Sequence, residues 1–397
     1  MNHLIKSTTL LTISNILTRV IALVFMVILA RVLSVSDYGL FRYLLTLSMM
    51  YAIGFSWINT TLAKFVSEKK NFGSIVSDGL FSGIIIFAIL SIIILIFEKN
   101  PLFIILFLLA VFVDDFYLGF VRGILNYVKL SGYRVVENII QLVFLLISYI
   151  IFRNISLTAA IVFYSIAGIL SLLIFESYRR EIKISKSVSK NNIFKIYKYA
   201  LPVTLGSIGW SLMFGINAIF INKFYGTEYV AYFSIGETIA QIFTFFPTAI
   251  ATILLPKVSA LKDKTKIRKP LTLALWGTTI ISILMLIPLA FYKEWLINIV
   301  FSEKYIYAAV VILPLAMGQI MISLLGIYSS IFQGLNKPGI PSIIIGITAI
   351  INIIFSYFLI KNYGIIGAGL SNAITCTLAL IISMIVFEIK WKKYSRM

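Results

Sequence analysis

The chain has 397 residues, of which 60% are hydrophobic and only 12% charged. Apolar runs of membrane-spanning length recur from end to end, which excludes a water-soluble domain and specifies a polytopic membrane protein. The formal charge of +19 does not indicate nucleic acid, because the bases lie between the apolar runs and never form a basic, aromatic-interleaved module.

The apolar runs predict twelve helices. Span one covers 8–33; it lacks a small-residue cleavage site behind a short apolar core and reads as a retained helix. Arg19 lies inside it, about 17 Å along the axis at 1.5 Å per residue. A guanidinium there costs about 2.5–3.5 kcal/mol on insertion scales, which the strongly apolar residues between Val20 and Leu29 offset. Asn15 is one turn earlier on the same face. Three readings stand for Arg19: a ligand contact facing a hydrated cavity, pairing with Asp78, Asp114 or Asp115, or snorkelling. Span two, 38–62, carries Arg42 near its outer end, where ligand contact and snorkelling both fit. Span three covers 75–97. Span four, 102–121, holds Asp114 and Asp115, which point about 100° apart on a helix, so at most one faces a cavity squarely. The pair reads as arginine partners, as a proton or sodium coupling site, or as interfacial residues. Spans five (135–152) and six (156–175) complete the first half.

A basic stretch follows at 178–198. Span seven, 199–221, offers Trp210 and Asn217 as sugar contacts or as packing residues. Span eight, 229–254, sets Glu237 and Gln241 one turn apart, as a cation-coupling site or a buried hydrogen-bonded pair. Spans nine to twelve cover 270–292, 306–331, 340–360 and 364–388. Pro202, Pro247, Pro288 and Pro314 fall in four successive spans and predict bends in helices seven to ten. Ser36-Asp37, Thr227-Glu228 and Ser302-Glu303 offer cap oxygens and first-turn acids. Cys376 is the single cysteine and His3 the single histidine. They leave no intrachain disulfide, no thiolate metal cage and no histidine chemistry within the membrane, so no metal or cofactor is expected.

With the N-terminus inside, the inner segments carry 25 Lys and Arg and the outer segments 7. Both termini are therefore expected in the cytoplasm. Every outer loop is short, which leaves no extracytoplasmic domain for a polymerase or ligase active site. The expected organisation is an N-terminal six-helix bundle (1–177), a cytoplasmic basic linker (178–198) and a C-terminal six-helix bundle with a short basic tail (199–397). The halves echo each other: "SVSDYGLFRY" (34–43) aligns with "YGTEYVAYFS" (225–234), and "ISYIIFRNISLTAA" (147–160) with "FSYFLIKNYGIIGA" (355–368). Repeated bundles of equal orientation, related by an axis along the membrane normal, are a transporter signature with the substrate site between them.

Two segments carry a family resemblance across essentially the whole chain. "ISNILTRVIALVFMVILARVLSVSDYGLFRYLLTL" and "FQGLNKPGIPSIIIGITAIINIIFSYFLIKNYGIIGAGLSNAIT" resemble polysaccharide and O-antigen flippases. Their superfamily also holds multidrug and toxic compound extruders and the peptidoglycan lipid II flippase. The resemblance implies an all-α integral membrane fold of about twelve helices. It also implies a non-enzymatic flippase, in the plasma (inner) membrane, that moves a polyprenyl-diphosphate-linked oligosaccharide to the outer leaflet by alternating access, with H+ or Na+ as coupling ion. In that family, cationic residues of the first helices bind the anionic lipid-linked sugar, and Arg19 and Arg42 match the pattern. Alternatives are a multidrug/cation antiporter on the same fold, which favours an acidic cavity, and a membrane-embedded glycan polymerase, which the short outer loops disfavour.

Overall fold

The computed structural model describes residues 2–68, 72–153, 155–174, 190–259, 261, 264–335 and 337–394. All regular structure among them is helical. The first half holds α1 (Asn2–Val32), α2 (Val35–Tyr51), α3 (Trp57–Ser67), α4 (Phe72–Phe97), α5 (Pro101–Gly123), α6 (Tyr127–Phe152) and α7 (Leu157–Ile174). The second holds α8 (Lys190–Tyr225), α9 (Thr227–Ala240), α10 (Phe245–Ser259), α11 (Arg268–Val300), α12 (Ala309–Gly334) and α13 (Gly339–Tyr394). Eight helical stretches are long and apolar enough to cross a membrane, and one of them, Gly339–Lys392 at 54 residues, is long enough to cross twice. It breaks at Gly364 (φ 59°, ψ −139°), a left-handed position that glycine takes without steric cost. With α2–α3, α7 and α8, the passes come to twelve.

Local chemistry sets the boundaries. Ser34 caps α2: its Oγ accepts from the Asp37 N–H at 3.0 Å and donates to Asp37 Oδ2 at 2.7 Å. The cap is thus two residues earlier than the Ser36-Asp37 reading, because the acid that faces back onto a cap oxygen stands three positions after it. Pro101 opens α5, where its missing N–H costs nothing. At Thr227 and Ser302 the first-turn acids are present, but no side-chain cap bond forms.

The chain divides into two compact units, Met1–Ser207 (unit 1) and Ile208–Met397 (unit 2). The division falls inside α8, which begins at Lys190, nine residues before the expected start of span seven. Burial explains the difference. Ile196 is buried, Asn192 donates to Asp78 at 2.9 Å and to Ser74 at 3.3 Å, and the rings of Tyr197 and Tyr199 pack on Trp57 and Phe65. Lys195 and Lys198 stay on the exposed face. The earlier part of the expected linker, 178–189, lies outside the described residues.

The same packing recurs within each unit. In unit 1 the second pass, α2 and α3, is interrupted by a 3-10 turn at Ala52–Phe55 and packs on α5. In unit 2 the second pass, α9 and α10, is interrupted at Gln241–Thr244 and packs on α12. Both contacts close on a glycine. A Cβ on Gly123 would meet the Val66 side chain at 2.5 Å and the Ala63 carbonyl at 3.2 Å; one on Gly334 would meet Val258 at 2.8 Å and the Leu255 carbonyl at 3.2 Å. Only a hydrogen fits at either place.

Pro288 and Pro314 lie inside α11 and α12. Pro247 is in the first turn of α10, where it needs no intrahelical donor. The interruption before it has a proline-free counterpart at Ala52–Phe55, so it belongs to the repeat rather than to proline.

Candidate functional site

On α1, Asn15 and Arg19 both lie on the exposed surface. Further along, Phe25, Leu29 and Ala30 are buried on the helix that packs against α6. Arg42 is half-buried on α2, with one guanidinium nitrogen 3.9 Å from Met26 Sδ. Its charge acts on the Tyr164 hydroxyl of α7. The Tyr164 ring is itself boxed by Phe25, Phe41 and Phe107 at centroid distances of 5.9, 5.8 and 5.5 Å.

Beyond Tyr164, unit 1 carries a charged cluster. Asp114 and Asp115 are half-buried on α5. Asp115 Oδ1 accepts from Asn59 Nδ2 at 3.1 Å, and Asn59 Oδ1 accepts from Arg122 at 3.0 Å. One asparagine thus relays between an acid and an arginine two turns apart on the same helix. Asp114 lies in the fields of Arg134 and Arg122, and its Oδ1 is buried and accepts no hydrogen bond; the nearby Tyr133 hydroxyl donates to the Gly168 carbonyl at 3.4 Å. Glu137, one turn beyond Tyr133 on α6, faces both Asp114 and Arg134 electrostatically. Three carboxylates thus gather near Arg122 and Arg134 inside a helical bundle, with Arg42 acting on Tyr164 beside Glu137 and Asp114. A carboxylate there stays charged only while paired or hydrated. The guanidiniums that act on Asp114 and Asp115 are Arg122, at the end of α5, and Arg134, two turns into α6. Among the described residues, no three His, Cys, Asp or Glu converge as a metal cage requires.

The buried polar core of unit 2 is neutral. Asn217 Nδ2 donates to Asn372 Oδ1 at 2.9 Å, and Asn217 Oδ1 accepts from Ser356 at 2.6 Å. Asn352 donates to Thr375 at 2.9 Å, and Ser356 meets Ser371 at 3.0 Å. All six residues are buried. Asn217 therefore follows the packing reading: both ends of its amide are spent tying α8 to the two arms of α13. Trp210 is 49% exposed and tilts against Phe214 at 4.9 Å. Glu237 is half-buried on α9, whereas Gln241 is exposed and opens the 3-10 turn, its N–H bonded to the Glu237 carbonyl.

A family model described as polysaccharide biosynthesis protein matches residues 4–262, more than half of the chain. The chain belongs to this family. A second model, MatE, matches residues 202–358 of this polysaccharide biosynthesis family member. Among relatives, an uncharacterised membrane protein of Methanocaldococcus jannaschii is 26% identical over 65% of the chain and 54% of its own length. The "Probable low-salt glycan biosynthesis flippase" of Haloferax volcanii is 24% identical over 54% of the chain and 46% of its own length. The chain thus spans about half the length of these curated relatives. Two solved structures share the fold: an inward-facing multidrug resistance MATE family transporter (TM-score 0.81, 13% identity, 96% of each chain) and the lipid II flippase MurJ (TM-score 0.77, 16% identity, 98% of this chain and 90% of that one).

Sequence reasoning about this family member missed Asn59, Arg122, Arg134 and Glu137 as parts of the charged cluster. Arg122 and Arg134 were assigned to an inner loop, yet only residues 124–126 separate α5 from α6. Glu137 carried the signal already used for Asp114, an acid inside an apolar span. It also lies one turn beyond Tyr133 and one turn before Gln141, all on one helical face.

Proposed function

We propose that this chain is a flippase that carries a lipid-diphosphate-linked oligosaccharide from the cytoplasmic to the outer leaflet of the plasma membrane, with both termini in the cytoplasm. Arg19 carries the reading. Its guanidinium stands mid-span on an exposed face of α1 beside Asn15, and Arg122 and Arg134 act on Asp114 and Asp115. A planar, permanently charged donor suits a diphosphate, and an exposed mid-span charge fits a hydrated path rather than lipid. Family membership and the name of the Haloferax relative support the same cargo class. Arg42 extends the cationic lining, Trp210 offers an exposed ring to sugars, and the cluster at Asp114, Asp115 and Glu137 takes up the coupling ion, for which a proton suffices. Asn217 holds the unit 2 core, and Glu237 with Gln241 shapes the break in the eighth pass.

The test is reconstitution. Proteoliposomes loaded with lipid-diphosphate-linked oligosaccharide should expose inner-leaflet glycan to an impermeant glycosidase faster than empty liposomes. Equal rates would overturn the proposal. A second reading, an antiporter for organic cations, draws on the MatE match and on likeness to a multidrug transporter; efflux of an organic cation dye by the same vesicles, without glycan exposure, would favour it.

A further inference from the structure

Unit 2 carries a second feature to which no role has been given. Tyrosines from two segments meet at one end of the bundle: Tyr225, Tyr229 and Tyr232 where α8 hands over to α9, and Tyr305 and Tyr307 in the turn before α12. Tyr229 lies 5.4 Å from Tyr225 and 5.8 Å from Tyr307, and Tyr232 lies 5.3 Å from Tyr307 and 6.4 Å from Tyr305, all as ring centroids. Most of these rings meet edge to face, so they form a corrugated surface rather than a stack. Tyr305 is fully buried beneath it, while Tyr225 and Tyr307 are 36% and 46% exposed.

The backbone is bent to make this surface. Gly226 (φ 90°), Ser302 (φ 139°) and Gly364 (φ 59°) are the positive-φ residues of unit 2 among those described, and all three flank the cluster. Gly226 sits between Tyr225 and the α9 tyrosines, and Ser302 opens the turn that carries Tyr305 and Tyr307. A Cβ at Gly364 would touch the Tyr225 ring at 3.7 Å, and Tyr225 donates to the Lys361 carbonyl at 3.0 Å. A non-glycine residue at φ 139° is strained backbone, and such strain persists where the surrounding structure over-determines it.

A membrane-interface belt accounts for other aromatics of unit 2. Phe291, Tyr292 and Trp295 on α11 are 81%, 61% and 62% exposed and suit the headgroup layer. The tyrosine cluster differs: its rings are half-buried against one another, joined by a buried member and set by three bends. Aromatic faces carry negative charge and phenols both donate and accept hydrogen bonds. The C–H groups of a pyranose are polarised by the ring oxygens and seat on such faces, while its hydroxyls meet the phenols. The Lys304 ammonium, 5.3 Å from the Tyr305 ring centre, adds a cation at the rim.

We propose that Tyr225, Tyr229, Tyr232 and Tyr307, with Tyr305 as their support, form a binding platform for the pyranose rings of the transported glycan. The proposal rests on the flippase reading for the source of the glycan, but the platform recognises the sugar without its lipid. The loop-charge count puts this end of unit 2 outside the cytoplasm, where a translocated headgroup emerges.

The probe is the oligosaccharide released by mild acid from the lipid-linked glycans of the host membrane, offered to the full chain in nanodiscs. Saturation-transfer NMR should show transfer to the sugar-ring protons. The same oligosaccharide should protect Tyr229 and Tyr307 from nitration, read by mass spectrometry on the unmodified chain. Tyr229→Ala with Tyr307→Ala should abolish the transfer, whereas the paired Phe variants should keep it. Absence of transfer and of protection in the wild-type chain would overturn the platform, even if the protein translocates lipid-linked glycan. Transfer that survives the alanine pair would reduce the tyrosines to an interfacial belt and also overturn it. Sugar binding with protection in a chain that translocates no lipid-linked glycan would uphold the platform and sink the transport reading alone.

Discussion

At the scale of single residues, the proposed function gives the charges of unit 1 two tasks. Arg19 is exposed and suited to a ligand, so Arg19→Ala should insert at least as well as wild type, since alanine removes an insertion cost of about 2.5–3.5 kcal/mol. Translocation should fall by roughly tenfold or more, as expected for losing a charged hydrogen bond worth about 1.5–3 kcal/mol. Arg19→Lys, which keeps charge without the planar fork, should retain part of the activity. Glycan output per unit of inserted protein is the readout, and a well-inserted, fully active Arg19→Ala protein would end the ligand assignment. Glu137 belongs to the other task. Glu137→Gln removes a titratable carboxyl from the cluster, so transport should lose its response to an imposed pH gradient while the protein still folds. A response equal to wild type would release Glu137 from coupling. The sequence made Asp114 and Asp115 visible because acids inside apolar runs are costly. It hid their partners because Arg122 and Arg134 stand within a few residues of a turn, where a charge looks like an ordinary flank. Only the three-residue turn between α5 and α6 brings them back onto the acids.

At the scale of elements, close approach and buried polarity hold the helices together. Gly123→Ala and Gly334→Ala should each destabilise the protein by about 1–3 kcal/mol through overpacking against Val66 and Val258. Gly277→Ala, whose Cβ meets nothing within 4 Å, should not. Thermal unfolding in a fixed detergent compares the three, and equal midpoints would mean that the two seams are not tight. In the neutral network, Asn372→Ala removes the oxygen that accepts from Asn217 and Asn352 at 2.9 and 3.5 Å. It should cost about 1–3 kcal/mol for the Asn217 amide left unpaired, since Asn352 keeps Thr375 at 2.9 Å, again read as a fall in the unfolding midpoint. Most passes were legible in the sequence, since apolar length alone marks a membrane helix. The interruptions at Ala52–Phe55 and Gln241–Thr244 were not. Neither segment, AIGF or QIFT, contains proline, and a single glycine or a glutamine and a threonine read as ordinary residues of a membrane helix. The early start of α8 was likewise hidden under lysines whose exposed face conceals buried Ile196.

At the scale of the whole molecule, the loop-charge bias is the remaining determinant. Single cysteines at Lys337 and Lys361 should be labelled from opposite sides by an impermeant thiol reagent in Cys376→Ser background; labelling of both from outside would overturn the orientation. The internal repeat reaches beyond topology. The two units share a packing scheme, yet the polar interior of unit 1 is ionic and the buried core of unit 2 is made of amides and hydroxyls. A membrane potential exerts about 2.3 kcal/mol per elementary charge per 100 mV, and it acts on net charge. On the proposed coupling role, the membrane potential bears on unit 1 through the charged cluster at Asp114, Asp115 and Glu137. The amide core of unit 2 presents the field with nothing to push.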